Sequence, residues 1–329
     1  MGSMRTVPPR GQGHSALHDP VTERDGLEPP VDIPKGIAAA HALPYAPFSR
    51  LWDAILLDGS QKDRLLAQAV LTFTLRPRVD SAALPLHGLI LLVGPPGTGK
   101  TSLARGLASR TAESFGERAG FHYLEVEPHA IANAGLGRSQ QAVRRILGEV
   151  IAERAALGPL IVLLDEVETL AADRVKLSLE ANPVDVHRAT DAVLAGLDQL
   201  AADYPRLLFV ATSNFAGAID TALLSRADLV ETIPLPGPET AKAILKNAVE
   251  ALAKAYPTAA HVLDDPEFAR AVAACHGLDG RQIRKLVVSA CTFDKRTALD
   301  PGRLSATDLV RAAERARGAL TNRDSGGSR

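Results

Sequence analysis

Short apolar runs alternate with amphipathic segments through the middle of the chain. Each run has five or six residues and is rich in leucine and β-branched residues, which favours buried strands. The segments between the runs repeat apolar residues at helical spacing. Strands that alternate with helices predict a parallel sheet covered by helices on both faces. The predicted strands are Leu89–Val93, Phe121–Val126, Leu160–Leu164, Leu207–Thr212 and Leu229–Ile233, and the predicted helices are Lys100–Phe115, Ser139–Leu157, His187–Asp203 and a short one after Asp220.

The pattern changes at Pro234–Pro238, where three prolines and a glycine exclude both a helix interior and a central strand. Beyond it only helical periodicity remains, and four helices are predicted up to about residue 320. The start of the chain is rich in Pro and Gly and shows neither period. The predicted organisation is a disordered tail at 1–34, a helical segment at 35–80, a large α/β domain at 81–236, a small helical domain at 237–320 and a second disordered tail at 321–329.

The balance of charges argues against a nucleic-acid partner. The 37 Lys and Arg residues stand against 38 Asp and Glu residues, so the chain has no cationic field that would attract a phosphate backbone. No apolar run reaches the roughly 20 residues of a membrane-spanning helix, and the N-terminal region lacks the apolar core of a signal peptide. The two cysteines, Cys275 and Cys291, lack metal-ligand spacing and are interpreted as core thiols. These features predict a cytoplasmic protein without membrane contacts.

A glycine-rich segment, Gly94–Thr101, lies between the first strand and the first helix of the alternating pattern. It reads Gly-Pro-Pro-Gly-Thr-Gly-Lys-Thr, the arrangement of a phosphate-binding P-loop, and its position argues against a turn without ligand. The glycines let backbone N–H groups converge on phosphate oxygens, and the helix N-terminus adds partial positive charge. Lys100 is predicted to reach the β- and γ-phosphates of ATP, and the Thr101 hydroxyl is predicted to bind Mg²⁺. The predicted ATP-binding residues are Pro96, Gly97, Thr98, Gly99, Lys100, Thr101 and Ser102.

Two acids end the apolar strand Leu160–Leu164 and are expected at the carboxyl edge of the sheet, where ligands of such folds bind. Asp165 suits Mg²⁺, held directly or through its water, and Glu166 suits the general base that polarises an attacking water. The alternative is that both acids cap a helix. The presence of a P-loop in the same chain argues against this alternative. Asn214 follows the strand Leu207–Thr212 and is predicted to hold the same water opposite Glu166, with a turn-forming role as the alternative.

Five segments together resemble the AAA+ ATPases in order and spacing, from about residue 51 to residue 290. More narrowly, the chain is similar to the remodellers of the meiotic pachytene checkpoint and of spindle-checkpoint disassembly, whose substrates are HORMA-domain proteins. The alanine-rich composition and short N-terminal region suit the bacterial branch, which resembles the remodeller of cyclic-oligonucleotide anti-phage operons. The segments are Gly94–Thr101, Leu163–Leu170, Ala211–Asn214, Leu224–Asp228 and Gly277–Lys285, and Leu51–Asp53 adds a further diagnostic part.

The resemblance implies a five-stranded sheet ordered 5-1-4-3-2, a C-terminal helical lid and a homohexameric ring with nucleotide at each subunit junction. Arg226 then corresponds to the arginine finger that stabilises charge on a neighbour's γ-phosphate, with a plain surface arginine as the alternative. Arg281 corresponds to the sensor arginine of the lid, with Arg284 as the fallback one turn later. The adenine is expected between the lid and Leu51–Ile55, where Trp52 also fits ordinary core packing.

The segment His129–Arg138 corresponds to the family's pore loop, which pulls on substrate. Relatives carry a bulky pair at its tip, whereas this chain has Gly135 and Leu136, so the grip would rest on one leucine in a glycine frame. A loop this apolar also fits a subunit interface. A second loop, Arg174–Asp185, resembles the family's second pore loop, with a mobile linker as the alternative.

The leading hypothesis is an ATP-hydrolysing, Mg²⁺-dependent hexameric remodeller that partly unfolds a HORMA-domain protein, with or without an adaptor, in bacterial anti-phage signalling. One alternative is an AAA+ loader or initiator acting on nucleic acid, which would need a basic groove or an added DNA-binding module. A second is a scaffold that binds ATP without hydrolysing it. The presence of Glu166, Asn214 and Arg226 together argues against the scaffold.

Overall fold

A computed structural model of the chain describes residues 33–57, 59–80, 83–127, 141, 144–169, 183–215, 217 and 219–326. The chain from Ile33 onward forms one unit built on a single sheet. Its strands are β1 (Ile37–Leu43), β2 (Leu89–Val93), β3 (Phe121–Val126), β4 (Leu160–Leu164), β5 (Leu207–Ser213) and β6 (Leu229–Thr232). The apolar runs therefore form strands where the sequence predicted them.

The helices of the described residues cover both faces of the sheet and make up the C-terminal part. None of them is long and apolar enough to cross a bilayer. They are α1 (Ala46–Ala54), α2 (Gln61–Leu75), α3 (Lys100–Phe115), α4 (Ala152–Leu157, continuing a π-helical turn at Ile146–Ile151), α5 (Pro183–Asp203), α6 (Thr221–Leu224), α7 (Pro238–Ala253), α8 (Glu267–Ala274), α9 (Gly280–Cys291), α10 (Lys295–Leu299) and α11 (Ala306–Gly326), with short 3₁₀ turns at Glu117–Ala119, Val167–Thr169, Pro257–Leu263 and Pro301–Arg303.

The sheet has six strands in the order β1-β3-β4-β5-β2-β6. The prediction of a five-stranded sheet is therefore wrong, because an extra strand extends one edge, whereas the five predicted strands do lie in the order 5-1-4-3-2. Strands β2 to β6 pair in parallel, whereas β1 runs antiparallel to β3. The five predicted strands keep their expected neighbours inside this larger sheet.

Strand β1 begins the segment 35–80 that was predicted to be helical throughout. Four of its seven residues are alanine, which favours helix over strand. Its two large apolar residues, Ile37 and Leu43, are buried, and the strand pairs along its length with Phe121–Val126. These hydrogen bonds to a distant part of the chain override the local preference. From Ala46 the segment becomes helical, as predicted.

Three clusters of buried apolar side chains form the core. Odd-numbered residues of β2 face a cluster with α4 and α5, and even-numbered residues face a cluster with α1, α2 and α3, as the two-residue period of a strand requires. The third cluster joins α7, α8, α9 and α11 without any strand. Strand β2 is thus buried on both faces, and only its ends are left for polar chemistry.

Two helix boundaries differ from the sequence predictions, and β5 and β6 each end one residue from the predicted position. Helix α5 begins at Pro183, four residues before the predicted start, where proline suits the first helical position. Helix α11 continues to Gly326 and so enters the tail predicted at 321–329. The tail predicted at 1–34 lies outside the described residues except for its last two.

Candidate active site

The glycine-rich loop joins β2 to α3, and two of its glycines are required by both conformation and space. Gly97 has a φ of 81° and Gly99 a φ of 93°, in the left-handed region that favours glycine. A β-carbon at Gly97 would lie 2.3 Å from the Asp279 carboxylate, and one at Gly99 would lie 2.6 Å from a methyl group of Ile55. The loop is therefore packed tightly between the segment after α1 and the N-terminus of α9.

Lys100 is the buried cation of this loop. Its ammonium donates hydrogen bonds to the carbonyl oxygens of Gly94 at 2.8 Å and Pro95 at 2.9 Å, and to Oδ1 of Asn214 at 2.8 Å. Burial lowers the pKa of Lys100 below its usual value, although nearby carboxylates, first of all Glu168, oppose that shift. All three acceptors are neutral oxygens, so negatively charged phosphate oxygens would replace them favourably.

Asp165 lies directly opposite the start of α3. The hydroxyl of Thr101 donates to Oδ1 of Asp165 at 2.8 Å, and the hydroxyl of Thr212 donates to the same oxygen. A carboxylate beside a hydroxyl offers the oxygen donors that Mg²⁺ prefers. The two residues predicted to bind the metal are thus in contact, and their chemistry fits it.

Glu166 has an unusual backbone. Alone among the described non-glycine residues it has a positive φ, 52°. Its N–H donates to Oγ1 of Thr212 at 3.1 Å, and its carboxylate accepts a long hydrogen bond of 3.5 Å from the side-chain amide of Asn214. Residues held in sparsely populated backbone conformations cluster at active sites. The predicted general base and the predicted water-holding amide therefore face each other.

Glu168 is a further acid in the site. Its Oε1 accepts the main-chain N–H of Asn214 at 3.0 Å. Its Oε2 is buried and has no hydrogen-bond partner among the described residues. The site thus contains a carboxylate oxygen with spare accepting capacity, close to the ammonium of Lys100.

A cleft with both apolar and polar walls adjoins the P-loop. It matches the place expected for the adenine, between the segment after α1 and the C-terminal helices. Its walls include Ile55–Leu57, Gly97–Gly99, Pro234–Pro236, Thr240 and Ile244.

Trp52 is a residue of the hydrophobic core and does not line the cleft. It is buried in the cluster under α3, and a β-carbon at Gly106 would lie 2.7 Å from the Trp52 β-carbon. It is absent from the walls of the cleft. The only tryptophan therefore packs α1 onto α3.

The two candidate sensor arginines differ in position. Both lie on α9, whose N-terminus is closed by a capping box between Asp279 and Gln282. Arg284 lines the cleft and donates to the carbonyl oxygen of Ala54 at 2.6 Å. Arg281 is not part of the cleft wall, although both arginines are exposed. Of the two candidates, only the fallback residue therefore contributes to the cleft beside the P-loop.

Arg226 lies away from the other predicted site residues. Its guanidinium forms two hydrogen bonds with the Asp198 carboxylate, at 2.6 and 2.7 Å, and one with the carbonyl oxygen of Ala222 at 2.7 Å. Together with His87 and Leu89 it lines a small cavity at the start of β2. The P-loop follows the other end of that strand, roughly 16 Å away at 3.3 Å per residue. Arg226 therefore does not belong to the P-loop site of its own chain.

The predicted pore-loop residues Gly135 and Leu136 lie outside the described residues. Most of the second predicted loop, Arg174–Asp185, lies outside them as well, and its last three residues begin α5.

Sequence reasoning did not single out Thr212 or Glu168, although both stood in segments that it quoted. A polar residue near the end of the otherwise apolar strand β5 was a usable signal for Thr212. Glu168 is a different case, because only the folded 3₁₀ turn Val167–Thr169 places its carboxylate against Asn214.

The parallel sheet, the P-loop and the acids at its edge define the class of a P-loop ATPase of the AAA type. Residues 90–235 match the family model described as "ATPase family associated with various cellular activities (AAA)". The chain is 55% identical over 285 residues to CD-NTase-associated protein 6 of Pseudomonas aeruginosa, which covers 87% of this chain and 93% of that protein.

A further relative supports this class, and a solved structure shows the same fold. The chain is 35% identical over 216 residues to the pachytene checkpoint protein 2 homolog of Gallus gallus, covering 64% of this chain and 49% of that protein. Its fold is similar to a chain of the HORMA:CdnC:Trip13 complex of E. coli MS115-1, with a TM-score of 0.64, 17% identity and coverage of 84% and 94%. The chain therefore belongs to the AAA ATPases, in the group that contains CD-NTase-associated protein 6 and the pachytene checkpoint protein 2 homologs. The resemblance inferred from the sequence is confirmed.

Proposed function

We propose that this chain hydrolyses ATP to remodel a HORMA-domain protein in bacterial anti-phage signalling that involves a CD-NTase. The observation that carries the ATPase is the cluster of Lys100, Asp165, Glu166 and Asn214 at one edge of the sheet, directly after the P-loop. Membership of the AAA ATPase family supports the same activity.

The contacts of the site suggest a role for each residue. Lys100 would exchange the carbonyl oxygens that it now contacts for the β- and γ-phosphates of ATP. Thr101 and Asp165 would hold Mg²⁺, which neutralises phosphate charge. Glu166 would accept a proton from the attacking water, and Asn214 would orient that water from the opposite side.

The proposed substrate rests on relatives. One is named as a CD-NTase-associated protein, and a structure of similar fold is a complex with HORMA and CdnC chains. The pachytene checkpoint protein 2 homologs point in the same direction. We propose that the partner is a HORMA-domain protein, bound directly or through an adaptor, and that residues 237–320 form the lid over the nucleotide.

We propose that the chain forms a homohexameric ring, and the place of Arg226 supports an arrangement in which subunits share a nucleotide site. The residue lies at the opposite end of β2 from the P-loop of its own chain, so as an arginine finger it would serve the nucleotide of a neighbour. To do so its guanidinium would leave Asp198. On the cis side, Arg284 supports the sensor role better than Arg281, because it lines the cleft beside the P-loop.

Subunit mixing tests the finger. Arg226→Ala and Lys100→Ala chains should each be inactive alone, whereas rings that contain both should recover part of the ATPase rate, because some junctions combine an intact P-loop with an intact finger. Mixing either variant with itself is the control. No recovery in rings shown to have exchanged subunits would contradict a finger that acts in trans.

Remodelling is tested with a purified complex of a HORMA-domain protein and its CD-NTase. Wild type should release the partner only when ATP can be hydrolysed. Leu136→Asp should keep basal ATPase, because no predicted nucleotide contact changes, and should lose most of the release per ATP. An unchanged ratio of release to hydrolysis would contradict the proposed role of Gly135 and Leu136 as the tip that grips substrate.

A further inference from the structure

We propose that the hydroxyl of Thr212 is the group that positions the general base Glu166, an inference that rests on the proposed ATPase activity. Thr212 lies near the end of β5 and is 1% exposed. Its hydroxyl donates to Oδ1 of Asp165 and accepts the main-chain N–H of Glu166 at 3.1 Å. One buried hydroxyl therefore contacts both acids that follow β4.

The contact with Glu166 acts where the backbone needs support. Glu166 has a φ of 52°, a conformation that a residue with a β-carbon rarely adopts unless its surroundings enforce it. The N–H that Thr212 accepts belongs to the strained residue itself. This hydrogen bond defines where the peptide turns, and hence where the carboxylate points.

The chemistry of the side chain explains why a hydroxyl suits this position. A hydroxyl has one proton to donate and lone pairs to accept, whereas an amide N–H can only donate and a carboxylate can only accept. The Thr212 hydroxyl donates its hydrogen bond to the Asp165 carboxylate. Its oxygen keeps a lone pair that accepts the main-chain N–H of Glu166. The neighbouring hydroxyl of Ser213 is instead engaged with the backbone of Phe215.

The network fixes the base relative to the metal ligand. Asp165 also accepts the hydroxyl of Thr101, at the start of the P-loop helix. The side-chain contact from Asn214 to Glu166 is long, at 3.5 Å, so it constrains the carboxylate only weakly. Thr212 therefore provides a direct link from the general base to the residues around the phosphates.

Two substitutions separate the hydroxyl from the rest of the side chain. Thr212→Val keeps the shape and the fit to a buried strand but loses the donor and the acceptor. We expect it to lower kcat for ATP hydrolysis about 10- to 100-fold, since displacing a reacting group by about 1 Å is worth up to 10²-fold. The KM for ATP and the affinity for a fluorescent ATP analogue should change less than about threefold, because no P-loop contact is removed.

Thr212→Ser is the matched control, because it keeps the hydroxyl and removes only a methyl group. Its kcat should stay within about threefold of wild type. A second control combines Thr212→Val with Glu166→Gln. If Thr212 acts through Glu166, the valine should lower the remaining single-turnover rate by less than about threefold in that background, since the base is already disabled.

Each other outcome overturns the inference. Full activity in Thr212→Val would show that the hydroxyl is dispensable, and loss of analogue binding in that variant would show a role in folding or in holding the metal ligand Asp165 instead. An equal fall in Thr212→Ser would assign the effect to packing, and a full additive effect in the Glu166→Gln background would assign it to another group. A wild type without ATPase activity would overturn the proposed function together with this inference, whereas an active wild type beside an equally active Thr212→Val would overturn this inference alone.

Discussion

The two ends of the parallel strands both collect charged residues but use them differently. At the end where the strands start, each charged side chain that we describe is bonded to backbone groups or to an opposite charge. At the end where the strands finish, the polar groups contact one another and keep capacity for more partners. Apart from Arg226, which we propose serves the nucleotide of a neighbour, the difference separates charges that hold the fold together from charges that can hold a ligand.

Asp228 and Arg76 represent the occupied end. The Asp228 carboxylate accepts the main-chain N–H groups of His87 at 2.9 Å, Gly88 at 2.7 Å and Leu89 at 3.3 Å. Buried Arg76 donates to two backbone carbonyl oxygens from α5 and the start of β5, and the space beside Gly88 is filled by its guanidinium. Both side chains are thus engaged with backbone groups that hold neighbouring elements together.

Lys100 and Glu168 represent the other end. The three acceptors of the Lys100 ammonium are neutral oxygens that a phosphate can replace, and one oxygen of Glu168 has no partner within the described residues. Unsatisfied buried polar groups are rare in folded proteins. The unsatisfied oxygen of Glu168 lies among the residues that the proposed ATPase activity needs.

The largest expected effect comes from removing the base at the finishing end. Glu166→Gln should lower ATP turnover about 10²- to 10⁴-fold, the usual value of a positioned general base, while ATP affinity stays nearly unchanged because the amide keeps the shape. Initial rates and equilibrium binding measure the two quantities. Glu117→Gln, in an exposed turn, is the control and should behave as wild type. Wild-type turnover in Glu166→Gln would show that another group accepts the proton.

Lys100→Ala should act on binding rather than on turnover alone. Hydrogen bonds to charged groups are worth about 1.5–3 kcal/mol, so ATP affinity should fall roughly 10- to 100-fold. Isothermal titration with ATP and Mg²⁺ checks this. Lys246→Ala, an exposed lysine on α7, is the matched control. If Lys100→Ala bound ATP as tightly as wild type, the charges at the finishing end of the strands would not be the ones that bind the ligand.

Asp228→Ala should act on stability and not on nucleotide. Three main-chain N–H groups would lose their acceptor, so the free energy of unfolding should fall by about 1–3 kcal/mol. Asp228→Asn retains one accepting oxygen and should fall less. Chemical denaturation compares the variants, and ATP affinity measured where they remain folded should match wild type. A specific loss of ATP affinity would place Asp228 in the ligand site instead.

Asp198→Asn should have the smallest effect, under about 1 kcal/mol, because the ion pair with Arg226 is partly exposed. The Arg226 hydrogen bond lowers the pKa of Asp198 from its usual 3.8. A lowered folded-state pKa stabilises the protein above the unfolded pKa, and that contribution is lost as the pH falls through the folded value. The stability difference between wild type and Asp198→Asn should therefore be constant near neutrality and vanish in strong acid. A difference that grows on acidification would contradict the ion pair.

The sequence predicted the finishing end of the strands better than the starting end. Lys100, Asp165 and Glu166 follow strands whose apolar runs are unmistakable, so the topology of a parallel sheet brings them together. The partner of Arg226 lies 28 residues away on α5, at a distance that no local pattern encodes. Strand β1 was missed for a similar reason, because only pairing with β3 makes an alanine-rich stretch extended.

The added strand β1 also changes what the sheet shows to other molecules. The two outer strands of any open sheet carry unpaired backbone groups that can recruit a strand from another chain and begin aggregation. Here β1 is interrupted by a register shift between Ile37 and Ala39 and is followed by Pro44, while β6 has only four residues and is followed closely by Pro234. A register shift, a short strand and a nearby proline each hinder the pairing of an edge strand with another chain. These features therefore protect both edges of the sheet, as far as the described residues form it, from fibril-like association.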